Sequence, residues 1–295
     1  MASTYDLGAC RVCGASPSPA GEVAGKVARR RFRLARCVSC GYAFVVDPET
    51  DFSQIYTPAY YRGEGADPLV DYLYELEHPA RTIRAYEWRG VVTLVRALID
   101  VREPLLWLDF GCGNGALVRH CREVEGIDAL GYDKGWIVGH ATADGIPILN
   151  DGELERLTGK FDVVTAIEVL EHVSEPVEAL RTIRRLLRPD GLLFLTTGNA
   201  EPHAQSLTKW SYVLPEIHVS YFEPRTLAVA LRKAGLRPDF RGMLPGHADI
   251  IKFKVLKNLH VRRRSLFTDL LPSKSLAAVA DHRAKVTAHP IGWAV

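Results

Sequence analysis

The sequence predicts an α/β protein: a doubly wound, mostly parallel seven-stranded sheet preceded by a small cysteine-rich module. Three observations predict it. From about residue 101 to 258, strand-length apolar runs alternate with helical stretches. Such alternation builds parallel strands covered by helices on both faces. The first of these runs ends in a glycine-rich turn, Gly111-Cys112-Gly113-Asn114-Gly115. Two Cys-x-x-Cys pairs stand near the N-terminus, Cys10 with Cys13 and Cys37 with Cys40.

Along the chain, residues 1–46 hold four of the six cysteines and little helical pattern. Residues 47–100 read as a connector and helical cap. The connector is rich in Pro, Tyr and acidic residues, and then Ile83, Tyr86, Val91, Leu94 and Leu98 recur on one helical face. Strands are expected at 105–110, 126–133, 146–150, 161–170 and 191–197. HVSYF (218–222) is expected as the sixth, and DFRGML (239–244) or IIKFKV (250–255) as the seventh. Helices are expected over 114–123, from Pro176 to about Leu187, and over 223–236. Pro176 suits a first helical turn, where no backbone donor is needed. Residues 259–295 form a C-terminal extension, basic and then rich in Ala and Ser.

A chain of 295 residues suits one large domain, or an ordinary domain plus a small one. Lys and Arg total 37 against 35 Asp and Glu, a formal charge of +2. That balance argues against a generic nucleic-acid coat protein. The runs Arg29-Arg30-Arg31 and Arg262-Arg263-Arg264 read as solvated basic faces. No stretch approaches the roughly 20 apolar residues of a membrane helix. The N-terminus lacks a basic region followed by an apolar run. No membrane partner is therefore expected, and the expected location is cytoplasmic. Thiols stay reduced there, and paired cysteines more often bind metal than form disulfides.

The two cysteine pairs are 23 residues apart, and Gly14 and Gly41 follow the second cysteine of each. Each pair offers two thiolates from one tight turn, and two such turns close a tetrahedral four-cysteine site. Cys10, Cys13, Cys37 and Cys40 are thus expected to hold a structural zinc in a zinc ribbon. Redox-active pairs and an iron–sulfur cluster are the alternatives. Cys112 and Cys121 are expected to pack rather than ligate.

The segment LDFGCGNG (108–115) places an acid and three glycines where a first parallel strand turns into a helix. Glycines let the backbone turn sharply and approach a ligand. In doubly wound sheets ligands sit at the carboxyl ends of the strands. The second strand ends in Asp133, which can accept hydrogen bonds from ribose hydroxyls. Here the chain resembles the class I S-adenosylmethionine (SAM)-dependent methyltransferases, which are built on a Rossmann-like sheet. FDVVTAIEVLEHV (161–173), LLRPDGLLFLTT (186–197) and HVSYFEPRTLAVALRKAGL (218–236) continue the resemblance in order, over about residues 100–245. It implies that Asp109, Gly111, Gly113 and Gly115 cradle SAM and that Asp133 grips its ribose. Asn150 and Asp151 fall where the family often places an adenine contact.

Glu168, Glu171 and His172 follow the fourth strand. If that segment is helical they share one face. Two carboxylates and an imidazole can hold a hard divalent cation, with His218 as a fourth ligand. The constellation resembles two metal-using branches of the family, the ubiquinone-pathway O-methyltransferases and the small-RNA 3′-terminal 2′-O-methyltransferases. Bound Mg²⁺ or Mn²⁺ would lower the pKa of an acceptor hydroxyl. A neutral histidine can instead act as general base without metal. A third reading gives these residues a mainly structural role.

A zinc ribbon before such a domain is similar to that of some ribosomal-RNA base methyltransferases and of many bacterial methyltransferases of sugar, polysaccharide and secondary-metabolite pathways, and the segment IYTPAYYRG (55–63) resembles the second group. Tyr56, Tyr60 and Tyr61 would line an acceptor pocket, cover SAM, or pack between domains. The expected function is O-methylation of a sugar, glycan or other small hydroxylated metabolite. The alternative is RNA methylation, 2′-O or base. A phosphate-binding protein would favour a strongly basic stripe. A non-catalytic binding module is the third class considered.

Overall fold

The computed structural model describes residues 7–64, 70–99, 104–240 and 244–273. The chain opens with three antiparallel strands, β1 (Ser18–Ala24), β2 (Arg31–Arg36) and β3 (Ala43–Val45). Three helices follow: α1 (Pro58–Tyr61), α2 (Tyr72–Glu77) and α3 (Arg84–Leu98). The alternating region then gives β4 (Leu106–Phe110), α4 (Ala116–Glu123), β5 (Asp128–Tyr132), α5 (Val138–Ala143), β6 (Ile148–Leu149) and α6 (Asp151–Arg156). It continues through β7 (Phe161–Ile167), α7 (Pro176–Leu186), β8 (Leu187–Thr196), β9 (Ser220–Tyr221) and α8 (Pro224–Lys233). Helices α9 (His247–Asn258) and α10 (Leu266–Leu270) complete the described elements.

The main sheet has the order β6-β5-β4-β7-β8, and all its pairs are parallel. β4 lies at its centre, and Trp107 and Leu108 are both fully buried although they point to opposite faces. That is the signature of a strand covered on both sides. On one face Trp107 packs with Val91, Leu94 and Val95 of α3 and with Ile250 of α9. On the other, Leu108 and Val164 pack with Leu180, Ile183 and Leu227. Helix α7 buries Val177, Leu180, Ile183 and Leu186, spaced three residues apart. Helix α8 opens on a capping box between Glu223 and Thr226, with Pro224 in its first turn.

Two strand assignments are corrected, so the described residues carry five parallel strands rather than seven. HVSYF leaves the main sheet: β9 pairs antiparallel with β3, Ala43 against Tyr221 and Phe44 against Ser220. IIKFKV is helical and belongs to α9. Its apolar residues Ile250, Phe253 and Leu256 are buried at helical spacing. The other candidate, DFRGML, falls partly outside the described residues. The first module's sheet thus takes its fourth strand from beyond residue 218. Tyr42 and Phe44 share an apolar cluster with Leu108 and Phe222. The cysteine module is therefore packed into one face of the larger domain.

Candidate active site

At the carboxyl end of β4 the chain turns through Gly111, Gly113 and Gly115, with φ of 78°, 55° and 70°. These are left-handed values that glycine adopts without steric cost. A Cβ on Gly111 would stand 2.5 Å from Val169. The Gly111 N–H donates to the Tyr132 carbonyl at 2.7 Å. The Gly113 N–H donates to Asp133 Oδ2 at 2.9 Å, and the Gly135 N–H donates to Oδ1 at 2.6 Å. Asp133 therefore ties the glycine turn to the loop after β5. Asp109 is buried and accepts the Thr165 hydroxyl at 2.7 Å. Burial pushes its pKa up to about 7.

Asp109, Gly111, Gly113, Asp133 and Gly135 line a cavity of about 880 Å³. Tyr56, Tyr60, Tyr61 and Tyr72 of the connector also line it, as do Glu168, Glu171, His172 and His218. Asn150 and Asp151 do not line it. Asn150 caps α6 by accepting the Glu153 N–H at 3.0 Å. Asp151 is exposed, accepting the Tyr132 hydroxyl at 2.7 Å and Lys134 Nζ at 2.9 Å. Cys112 lines the cavity, and Cys112 and Cys121 are buried apart from the N-terminal cysteines.

The segment after β7 is not the helix that the spacing suggested. Glu168 sits at φ 54°, outside helical space, and only Leu170–His172 form a short 3-10 turn. Glu168 therefore does not share a helical face with Glu171 and His172. It pairs with Lys254 Nζ at 3.1 Å and accepts the Thr196 and Tyr212 hydroxyls, each at 3.1 Å. Burial opposes ionisation of Glu168, but Lys254 and Lys257 outweigh it and hold its carboxyl well below the ordinary range. Glu171 is sealed from solvent. Burial, and then the charge of Glu168, push its pKa up to about 8. The Tyr212 hydroxyl bridges Glu168 and Glu171. One hydroxyl proton serves one acceptor at a time, so a consistent chain runs from protonated Glu171 to Tyr212 to ionised Glu168. The Thr197 hydroxyl donates to the other Glu171 oxygen at 2.8 Å.

The structure does bring Glu171, His172 and His218 together, with ligand atoms within 4.8 Å of one another. Nδ1 of His172 lies 2.8 Å from the Ile217 carbonyl, and Nδ1 of His218 lies 2.7 Å from the Tyr212 carbonyl. A carbonyl only accepts, so each Nδ1 carries a proton, and in the neutral ring the lone pair belongs to Nε2. Such an imidazole suits a base or a metal ligand. Two imidazoles and one carboxylate suit a nitrogen-binding divalent ion better than Mg²⁺, which takes oxygen ligands. Tyr212 and Lys254 were missed in the sequence. Reading 250–255 with a period of 3.6 rather than 2 would have placed Lys254 on a helix beside buried Ile250 and Ile251.

In the N-terminal module, Cys10 Sγ lies 3.6 Å from Cys40 Sγ, and Cys13 Sγ lies 3.4 Å from Cys37 Sγ. All four sulfurs are within 4.8 Å of one another, and none forms a disulfide. A zinc tetrahedron with Zn–S of about 2.3 Å has edges of about 3.8 Å. The four thiols fit that ion in a zinc ribbon. The Gly14 and Gly41 N–H groups close the two turns on the Cys10 and Cys37 carbonyls, each at 2.8 Å.

A glycine cradle after the first parallel strand and an acid after the second define a nucleoside-binding α/β fold. The family described as "Methyltransferase domain" matches residues 80–239, and the chain belongs to the class I SAM-dependent methyltransferases. It is 38% identical over 116 residues to a ubiquinone biosynthesis O-methyltransferase of Caulobacter vibrioides, covering 36% of this chain and 46% of that protein. It is 34% identical over 159 residues to one from Cereibacter sphaeroides, covering 48% of this chain and 64% of that protein. The chain thus spans about half to under two thirds of the length of these curated relatives. A solved SAM-dependent methyltransferase from Archaeoglobus fulgidus aligns with TM-score 0.41 and 19% identity, over 58% of this chain and 74% of that chain. Among the described residues, no helix is long and apolar enough to cross a membrane.

Proposed function

We propose that this chain transfers the SAM methyl group to a hydroxyl of a sugar, glycan or other small hydroxylated metabolite. The observation that carries the reading is the Glu171, His172 and His218 cluster, gathered in the cavity that also holds the glycine turn and Asp133. The cavity volume lies in the range of small-molecule sites. The named activity of the Caulobacter and Cereibacter relatives supports oxygen as the acceptor atom.

SAM supplies an activated methyl on a sulfonium. Gly111, Gly113, Gly115, Asp109 and Asp133 would hold it at the carboxyl end of the sheet. Asn150 and Asp151, at the start of α6, are proposed for the adenine contact, outside the residues that line the cavity. The acceptor oxygen attacks the methyl carbon in line with sulfur, and the C–O bond forms as the S–C bond breaks. The hydroxyl proton passes to Nε2 of His172 or His218. Glu168 stays ionised against Lys254, and neutral Glu171 anchors Tyr212 behind the histidines. Positioning supplies much of the acceleration.

A second reading is favoured by the same cluster: a divalent ion held by Glu171, His172 and His218. The experiment is release of S-adenosylhomocysteine against a panel of sugars, phenols and RNA, with EDTA and then added Mn²⁺ or Mg²⁺. Metal-independent turnover on a hydroxylated metabolite, lost about 10²-fold or more in His172→Ala at unchanged SAM affinity, is expected for a histidine base. Turnover that vanishes with EDTA and returns with metal selects the second reading. Turnover on RNA alone refutes the small-molecule proposal.

A further inference from the structure

We propose that Glu216 is a positioning residue through which the zinc module sets His172 and His218; the inference rests on the acceptor-site reading above. Glu216 is 1% exposed. It stands in the loop before β9, far in sequence from the module it touches. Its Oε2 accepts the Lys26 N–H at 2.8 Å, and its Oε1 accepts the N–H groups of Val27 and Ala28 at 2.6 and 2.5 Å. These three successive amides form the turn between β1 and β2. A carboxylate this deep is tolerated because hydrogen-bond donors replace its lost water. Gly25 makes room for the contact, since a Cβ there would stand 2.8 Å from Glu216 Oε1 and 2.4 Å from the Ala28 carbonyl.

A residue next to Glu216 orients His172, while His218 lies two residues on and is oriented by the Tyr212 carbonyl. The Ile217 carbonyl receives His172 Nδ1, and His218 follows directly. Just beyond, the module grips the same segment again. The Val45 N–H donates to the Val219 carbonyl at 3.0 Å, and the Val219 N–H donates to the Glu171 carbonyl at 2.7 Å. Tyr42, two residues after Cys40, hydrogen-bonds the Ser220 hydroxyl at 2.7 Å. Ser220 in turn donates to the Val173 carbonyl at 2.5 Å. The module therefore pins this segment at Glu216 and at Val219–Ser220. Ile217 and His218 are held between the pins, and Glu171 to Val173 are fastened alongside. The nucleotide-side residues Gly111, Gly113 and Asp133 make none of these contacts.

The test compares zinc-loaded full chains of wild type, Glu216→Gln and Tyr42→Phe. Hydrogen–deuterium exchange, histidine nitrogen NMR and S-adenosylhomocysteine calorimetry are measured on each. Glu216→Gln is expected to speed exchange at least ten-fold in residues 168–174 and 214–222. It should also shift the His172 and His218 resonances while leaving S-adenosylhomocysteine affinity within three-fold. Tyr42→Phe, which removes only a hydroxyl, should speed exchange in 168–174 and 218–222. Faster exchange confined to residues 24–31, with both histidine signals unmoved, overturns the proposal. A uniform rise that includes residues 106–133 overturns it as well. None of these readouts uses turnover, so failure of the acceptor-site reading would show separately, as His172→Ala and His218→Ala enzymes that both remain fully active.

Discussion

Replacing Glu171 with Gln tests whether the centre of this site is neutral. In the folded chain Glu171 is fully buried, and burial followed by the charge of Glu168 pushes its pKa up to about 8. An unfolded glutamate titrates near pH 4.3, about the model-peptide value. The folded pKa is the higher of the two, so folding takes up a proton between those values. The stability this proton contributes is complete below the unfolded pKa and is lost as pH rises through the folded one. One proton corresponds to about 1.4 kcal/mol per pH unit, or about 4 kcal/mol from pH 5 to 8. Gln is a close mimic of the protonated acid. Its amide nitrogen can donate to Tyr212, and its oxygen can accept from Thr197, the two partners Glu171 now has. Urea unfolding of zinc-loaded, SAM-free protein between pH 5 and 9 gives the stability of each form. The wild-type value minus the variant value should fall by about 1.4 kcal/mol per unit up to pH 8 and then level off. Taking the difference removes Asp109 and every other titrating group common to both proteins. A difference that stays flat with pH, or rises with it, refutes a protonated Glu171.

Three further outcomes are expected. Asp133→Ala should weaken S-adenosylhomocysteine binding about ten- to hundred-fold by calorimetry, because it removes an acceptor of charge-assisted hydrogen bonds at the ribose position. An unchanged affinity would place the nucleoside elsewhere. Arg84→Met should cost about 3–5 kcal/mol in urea unfolding, because Glu75, at 3.1 Å from the guanidinium, would be left buried without its ion-pair partner, and Glu87 would keep only Lys254 at 3.8 Å. A loss under about 1 kcal/mol would mean that water reaches those carboxylates. Purified protein should carry one zinc per chain by elemental analysis, and Cys37→Ser should lower that stoichiometry together with the melting temperature. Full zinc loading in the variant would exclude Cys37 as a ligand.

The legible parts of this protein are those set by local chemistry. The glycine turn after Asp109, the acid at Asp133 and the Cys10, Cys13, Cys37, Cys40 spacing each depend on a few neighbouring residues. The five parallel strands were readable as short apolar runs between turn signals, most clearly β4 and β7, which are buried on both faces. Helix α7 was readable because Pro176 and a three-residue apolar spacing leave few alternatives. Local pattern failed where a partner distant in sequence decided the outcome. HVSYF is a good strand by composition, but nothing within it says that its partner is β3. EVLEH has helical spacing, yet the strand end drives Glu168 into a left-handed conformation and Lys254, far along the chain, takes its carboxylate. By itself the sequence determined the reaction class and the metal-binding module, because both rest on short motifs. Only the tertiary structure decided which groups share the cavity with the histidines and how the zinc module reaches them, because hydrogen bonds and ion pairs form between residues that folding, not spacing, makes neighbours.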